Sequence, residues 1–178
     1  MSPTYICMAA KAVVLVVMGV SGSGKTTVAT LLAARLGWPF EEGDSLHPKA
    51  RLDKMRSGRA LTDGDRRVWL ARVADWIDEC LVRGENGLIT CSALKRSYRE
   101  VINRRGSGVV FVYLAGSREL VAARLAGRTG HFMPPSLLES QLSDLEEPTL
   151  DERAIRIDVD APPSSIAGAV LERLALPD

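Results

Sequence analysis

The sequence predicts an α/β fold in three layers: a five-stranded parallel sheet flanked by helices on both faces. Three observations carry that prediction. Apolar runs rich in β-branched residues recur at residues 13–18, 87–91, 109–114 and 154–159. The run over 13–18 is apolar throughout rather than at alternate positions, as in a strand covered on both sides, and the others resemble it. Helical patterns separate these runs, and alternation of strand and helix builds a parallel sheet. Finally, 178 residues with 46% hydrophobic and 25% charged content suit one globular domain, whose core can bury roughly 70% of the unfolded surface.

The elements follow in order. Residues 13–18 are the first strand and run into a helix over 26–36, with Gly37 placed to close it in the left-handed conformation. A weaker strand over 38–42 brings the count to five, and Pro48 opens a short helical stretch reaching residue 55. The longest helical pattern, 65–82, sets Trp69, Val73, Trp76 and Cys80 on one stripe, which reads as core packing. A helix opened by Lys95, Arg96 and Arg99 follows the third strand, and another spans 117–126. Residues 127–135 hold two Gly and two Pro together with Arg128 and His131, a composition that suits a mobile lid better than a core connection. We place a helical lid at approximately 124–145. An amphipathic helix reaching residue 176 completes a single domain over 1–178.

Composition removes several classes of function. Lys and Arg total 23 against 22 Asp and Glu, a net charge of +1, so no overall basic excess draws the chain to nucleic acid or acidic membrane. Any anion must be met by local placement of charge. Cys7, Cys80 and Cys91 form neither a C-x-x-C pair nor an even framework, which fits a reducing, cytoplasmic setting. The apolar run over 12–20 is about half the length needed to span a bilayer. It leads into a glycine-rich turn rather than a cleavage site.

That turn is the most informative segment. Gly19, Val20, Ser21, Gly22, Ser23, Gly24, Lys25 and Thr26 match G-x-x-x-x-G-K-[ST] at every fixed position, between a buried strand and an amphipathic helix. Such a phosphate loop (P-loop) curls its backbone N–H groups inward onto phosphate oxygens, and the following helix presents its positive end to the same charge. Lys25 is expected at the β and γ phosphates, Thr27 within the ATP site, and the Thr26 hydroxyl on Mg²⁺. The third strand leads into Cys91 and Ser92 rather than an Asp-Glu pair. That favours phosphoryl transfer to a small acceptor over hydrolysis-driven mechanics.

Asp44, just after the second strand, would stand beside this loop at the carboxyl end of the sheet, where a carboxylate can activate an acceptor hydroxyl. The segment Gly43-Asp44-Ser45-Leu46-His47-Pro48 resembles the Gly-Asp-x-x-His-Pro element of the P-loop gluconokinases, relatives of shikimate kinase and the nucleoside monophosphate kinases. The likeness continues through Lys54-Met55, residues 61–66 with Trp69-Leu70, residues 91–99, and residues 130–134 with Ser140-Gln141. It covers nearly the whole chain after the first ten residues. Arg51 departs from the common Asn, and Ala60 and Val68 from the usual Pro.

The resemblance implies a P-loop NTPase-type fold and ATP-dependent phosphorylation of D-gluconate at its terminal hydroxyl, with Mg²⁺ as cofactor and a homodimer as the assembly. Lys25, Asp44 and Arg128 would be catalytic. Asp44, His47, Lys54, Arg66, Lys95, Arg99 and His131 would contact gluconate. Arg124 and Arg128, spaced i, i+4 at the lid entrance, resemble the lid arginines of the nucleoside monophosphate kinases, one beside adenine and the other on the transferring phosphoryl group. Each has a plainer reading. Asp44 can cap a helix or hold water around the metal, and His47 can be a structural hydrogen-bonder. Lys95, Arg96 and Arg99 can form a solvated helix face, and Arg124 and Arg128 a salt-bridged one. Two rival functions remain: a kinase for another small anion such as shikimate or a nucleoside monophosphate, and a regulatory module that holds ATP without chemistry.

Overall fold

The computed structural model describes residues 12–48, 62–127 and 135–175. Strands β1 (Val14–Met18), β2 (Phe40–Glu41), β3 (Gly87–Thr90), β4 (Val109–Ala115) and β5 (Ala154–Asp158) form one sheet in the order β2-β3-β1-β4-β5. Every pairing is parallel. The order reverses about β1, whose neighbours are β3 and β4, so the crevice beyond its carboxyl end is the place where this topology receives ligands. Most of the predicted 48–55 helix and 127–135 loop lies outside the described residues.

Both faces of the sheet are covered at β1, β3 and β4, as their apolar runs require, whereas the edge strand β5 turns Arg156 and Asp158 to solvent. Leu15 and Val17 of β1 face helices α1 (Lys25–Leu36) and α6 (Pro163–Leu174), in a core with Leu32, Val112, Ile155 and Val170. The alternate residues Val14, Val16 and Met18 pack with Trp69, Val73 and Ile77 of α2 (Asp63–Arg83) and with Tyr98 and Ile102 of α3 (Arg96–Ile102). A third, small cluster joins Val20, Leu94, Val121 of α4 (Arg118–Ala126) and Leu138 of α5 (Pro135–Asp144). It fastens the lid-side helices beneath the phosphate loop.

Local chemistry sets the boundaries. β2 is two residues long where five were predicted, because Pro39 has no N–H to give the ladder; its carbonyl still accepts from the Leu88 N–H at 2.9 Å. α2 begins at Asp63, two residues before the predicted start. The Thr62 hydroxyl accepts from the Asp65 N–H at 3.2 Å, and the Asp65 carboxylate accepts from the Thr62 N–H at 3.0 Å, a reciprocal cap. This cap gives Thr62 and Asp65 a structural task. After β2 the chain turns through a 3₁₀ helix, Gly43–Leu46.

Candidate active site

The phosphate loop leaves β1 and enters α1, whose N-terminus carries no side-chain cap and so stays available to an anion. Gly22 stands at φ 84, and a Cβ there would meet the Leu125 side chain of α4 at 2.8 Å, so glycine is required for both conformation and space. Lys25 Nζ reaches back to the Val20 carbonyl at 3.1 Å. The Ser21 N–H donates to Gln141 Oε1 of α5 at 2.7 Å.

Opposite the loop, the 3₁₀ turn lies directly on the end of β3. The Gly43 N–H donates to Thr90 Oγ1 at 3.1 Å, and Trp69 Nε1 donates to the Gly43 carbonyl at 2.7 Å. A Cβ on Gly43 would lie 1.9 Å from the Thr90 carbonyl oxygen. The turn is thus pressed between strand and helix, with Asp44 exposed on it. Asp44 and Lys25 both act electrostatically on the buried Cys91 thiol just past β3, in opposite directions. Burial pushes that thiol up to about 12, so Cys91 is an inert packing residue.

Sequence reasoning missed Glu42. Its carboxylate accepts from Thr26 Oγ1 at 2.7 Å and also from the Thr90 hydroxyl, joining the phosphate loop to β2 and β3. Its signal was the Glu41-Glu42 pair just ahead of Gly43-Asp44, at the carboxyl end of a strand. A hydroxyl and a carboxylate side by side are hard oxygen donors suited to Mg²⁺. No cluster of three or more metal-ligating side chains occurs among the described residues.

At the start of α2 two cations and two carboxylates meet in a compact, charge-balanced cluster. Arg66 Nη1 donates to the Tyr98 hydroxyl at 3.0 Å, and Lys95 Nζ lies 3.2 Å from Asp63 Oδ1. Arg66 and Lys95 both approach the Tyr98 ring, at 5.6 and 5.5 Å from its centre. Asp144 closes the cluster from α5, 3.4 Å from Arg66 and 3.5 Å from Lys95. The Tyr98 hydroxyl and then Lys95, both donating to Asp63, hold that carboxyl below its ordinary range. Burial, and then its bond to Asp63, raise the Tyr98 hydroxyl, which stays a donor.

Arg99 corrects the sequence-based expectation of a gluconate contact. Its side chain is 1% exposed and forks onto Glu152 at 2.5 and 2.9 Å. Its Nη1 donates to the carbonyls of Ala93, Leu94 and Glu146 at 2.9 to 3.0 Å. These bonds hold Ala93 at φ 46, a left-handed conformation costing an L-residue about 1–2 kcal/mol, and so shape the 91–95 loop that delivers Lys95. The periodicity of Lys95 and Arg99 cannot separate a cation facing solvent from one turned under its own loop.

His47 is buried and stacks on Trp69 with ring centres 4.2 Å apart, while its Nδ1 finds no partner among the described residues. What the structure shows is ring packing: no side-chain hydrogen bond of His47 occurs among the described residues, so neither the hydrogen-bonding reading nor the polyol contact is shown. Burial lowers its pKa, opposed by Asp44 and aided by Arg66. Trp69 is core, as predicted, but also holds the turn that bears Asp44. Arg124 Nη2 donates to the Val159 carbonyl at 2.6 Å, and its Nη1 would be 4.0 Å from a Cβ on Gly24, beside the start of α1. Thr27 is exposed in the first turn of that helix. Lys54, Arg128 and His131 lie outside the described residues.

Comparison with known proteins supplies the class of acceptor. A family model described as an AAA domain matches residues 14–148. The chain is 53% identical over 160 residues to the gluconokinase of Gluconobacter oxydans (strain 621H), covering 90% of this chain and 88% of that one. The crystal structure of a gluconokinase from Sinorhizobium meliloti 1021 superposes with a TM-score of 0.83 at 44% identity, over 94% of each chain. An unliganded sugar kinase from Janibacter sp. HTCC2649 gives a TM-score of 0.86 at 43% identity, over 93% of this chain and 95% of the other. A shared fold alone would leave the acceptor open, but identity at this level over nearly the whole length does not: the chain belongs to the gluconokinase family.

Proposed function

We propose that the chain transfers the γ-phosphoryl group of ATP to the terminal hydroxyl of D-gluconate, giving 6-phospho-D-gluconate and ADP. The observation that carries this reading is the meeting, at one sheet edge, of an intact phosphate loop, an exposed carboxylate at Asp44 and a cation pair at Arg66 and Lys95. The loop N–H groups and Lys25 hold the phosphates. Asp44 orients the acceptor hydroxyl and takes its proton, while Arg66 and Lys95 receive the gluconate carboxylate. Thr26 and Glu42 are the residues that would hold Mg²⁺, which when bound neutralises charge developing on the phosphate oxygens. In this reading Arg124 flanks adenine, as the family resemblance implies.

By the family resemblance Lys54 and His131 add acceptor contacts and Arg128 meets the transferring phosphoryl group. Closure of the lid over the site would exclude water, which otherwise competes for that group. No helix among the described residues is long and apolar enough to cross a membrane. A cytoplasmic location and a homodimer belong to the same reading.

Coupled ADP production with gluconate as the only acceptor tests the activity, beside parallel assays with shikimate and nucleoside monophosphates. Gluconate-dependent ADP release is expected. Release that ignores gluconate, or that follows another acceptor, would overturn the assignment. Asp44→Asn tests the proton acceptor: turnover should fall far more than nucleotide affinity, since size is kept and only the basic oxygen is lost.

A further inference from the structure

We propose that Tyr98 is a positioning residue of the acceptor site: it fixes Arg66 and Lys95 in the geometry that takes the gluconate carboxylate, without touching gluconate itself. The inference rests on the reading of these two cations as acceptor contacts. They come from different elements, Arg66 from α2 and Lys95 from the residue that precedes α3. Tyr98, on α3, meets both. Its hydroxyl accepts from Arg66 Nη1 at 3.0 Å and donates to Asp63 Oδ1, and the same oxygen takes Lys95 Nζ at 3.2 Å. Each cation also lies within reach of a cation–π contact, 5.6 and 5.5 Å from the ring centre. Tyr98 thus ties Arg66 directly, and Lys95 both through its ring and through Asp63.

Two features make this tyrosine, rather than the carboxylates, the fixed member of the cluster. Tyr98 is 6% exposed and packs in a main core with Trp69, Val73 and Ile102, whereas the side chains of Asp63 and Asp144 are 63% and 25% exposed. The bond from Arg66 to Tyr98, at 3.0 Å, is also shorter than the 3.4 Å approach of Arg66 to either carboxylate. Charge makes position matter. Arg66 and Lys95 are balanced by Asp63 and Asp144, so the four groups carry no net charge with which to attract an anion. Recognition of a carboxylate then depends on N–H groups that already point the right way. Ordering two long side chains costs rotamer entropy on binding unless the free protein has ordered them beforehand. A buried phenol that holds one cation by its hydroxyl and both by its ring supplies that preorganisation.

Substitutions of Tyr98 test this by steady-state kinetics, with urea unfolding and calorimetric titration of the non-hydrolysable ATP analogue adenylyl imidodiphosphate on the same preparations. Tyr98→Phe keeps the ring and loses the hydroxyl, so the KM for gluconate should rise roughly tenfold, the size of one hydrogen bond to a charged group. Tyr98→Leu loses the ring as well and should add a factor of roughly three. In both, kcat should stay within about twofold and affinity for the analogue should not change, the pattern of lost ground-state binding. If the leucine variant does not fold, the phenylalanine variant decides alone. A merely structural role gives the opposite pattern, lower stability in urea with an unchanged KM in the folded protein, and that result overturns the proposal. A fall in kcat with KM unchanged overturns it too. Arg66→Met and Lys95→Met separate this inference from the reading beneath it. A raised KM in those two with an unchanged KM in Tyr98→Phe removes Tyr98 alone, whereas an unchanged KM in both removes the acceptor reading together with the proposal.

Discussion

Gly43→Ala is the sharpest perturbation of the site, because the obstacle is backbone rather than a side chain that can swing away. The added Cβ would lie 1.9 Å from the Thr90 carbonyl oxygen, whereas real Cβ contacts essentially do not occur under 3.0 Å. The turn must therefore move by about 1 Å, since the packed end of β3 does not yield. That movement strains the Gly43 bond to Thr90 and the Trp69 bond to the Gly43 carbonyl, each contributing about 1 kcal/mol, so a loss of about 2 kcal/mol in stability is expected. The larger effect is on Asp44, the next residue. A misplacement of about 1 Å costs on the order of 10²-fold in rate, equivalent to about 2.7 kcal/mol of barrier. The phosphate loop lies on the other side of the crevice, at the β1 to α1 junction, so affinity for adenylyl imidodiphosphate should stay within about threefold of wild type. Urea unfolding, coupled ADP release and calorimetry on one preparation measure the three quantities. A variant with wild-type turnover would refute the role of this turn in holding Asp44.

Three further outcomes follow from named contacts. Arg99→Met should lose about 3–5 kcal/mol in urea unfolding, because the largely buried Glu152 is left without its cation; a stable variant with a raised KM for gluconate would return Arg99 to the acceptor site. Glu42→Gln should raise the Mg²⁺ concentration needed for half-maximal turnover by roughly tenfold, by analogy with other residues that support a metal site, and an unchanged Mg²⁺ dependence would separate Glu42 from the ion. His47, its pKa lowered chiefly by burial, is neutral in the fold at pH values where the unfolded imidazole, near 6.5, already takes a proton. The stability it contributes is complete above that value and is lost as pH falls through the lower folded pKa. Urea titrations over this range should show a steeper loss for the wild type than for His47→Phe, and an NMR pKa at or above the ordinary value would contradict the burial argument.

The layers of the fold were legible in the sequence because burial on both faces leaves an unbroken apolar run, as at Val14–Met18, and a covering helix leaves a stripe, as at Trp69, Val73 and Ile77. The phosphate loop was legible for a stricter reason. Its function needs glycine where backbone must curl and one cation and one hydroxyl at set positions, so the chemistry is local in the chain. The position of Asp44, though not its role, was legible by the same logic, as a carboxylate following a strand.

What the chain order could not reveal is which polar groups meet across the crevice. Glu42 and Thr26 are sixteen residues apart, Gln141 and Ser21 one hundred and twenty. Arg99 and Lys95 carry the same charge one helical turn apart, and periodicity treats them alike. The fold separates them: Arg99 turns beneath the 91–95 loop to satisfy its carbonyls and Glu152, while Lys95 is left at the rim beside Asp63. A residue's type and spacing therefore determined the phosphate loop and the layers. Partnership of charges was decided by the tertiary structure, because a buried cation takes whichever oxygens the packing brings to it, and those come from parts of the chain with no common pattern.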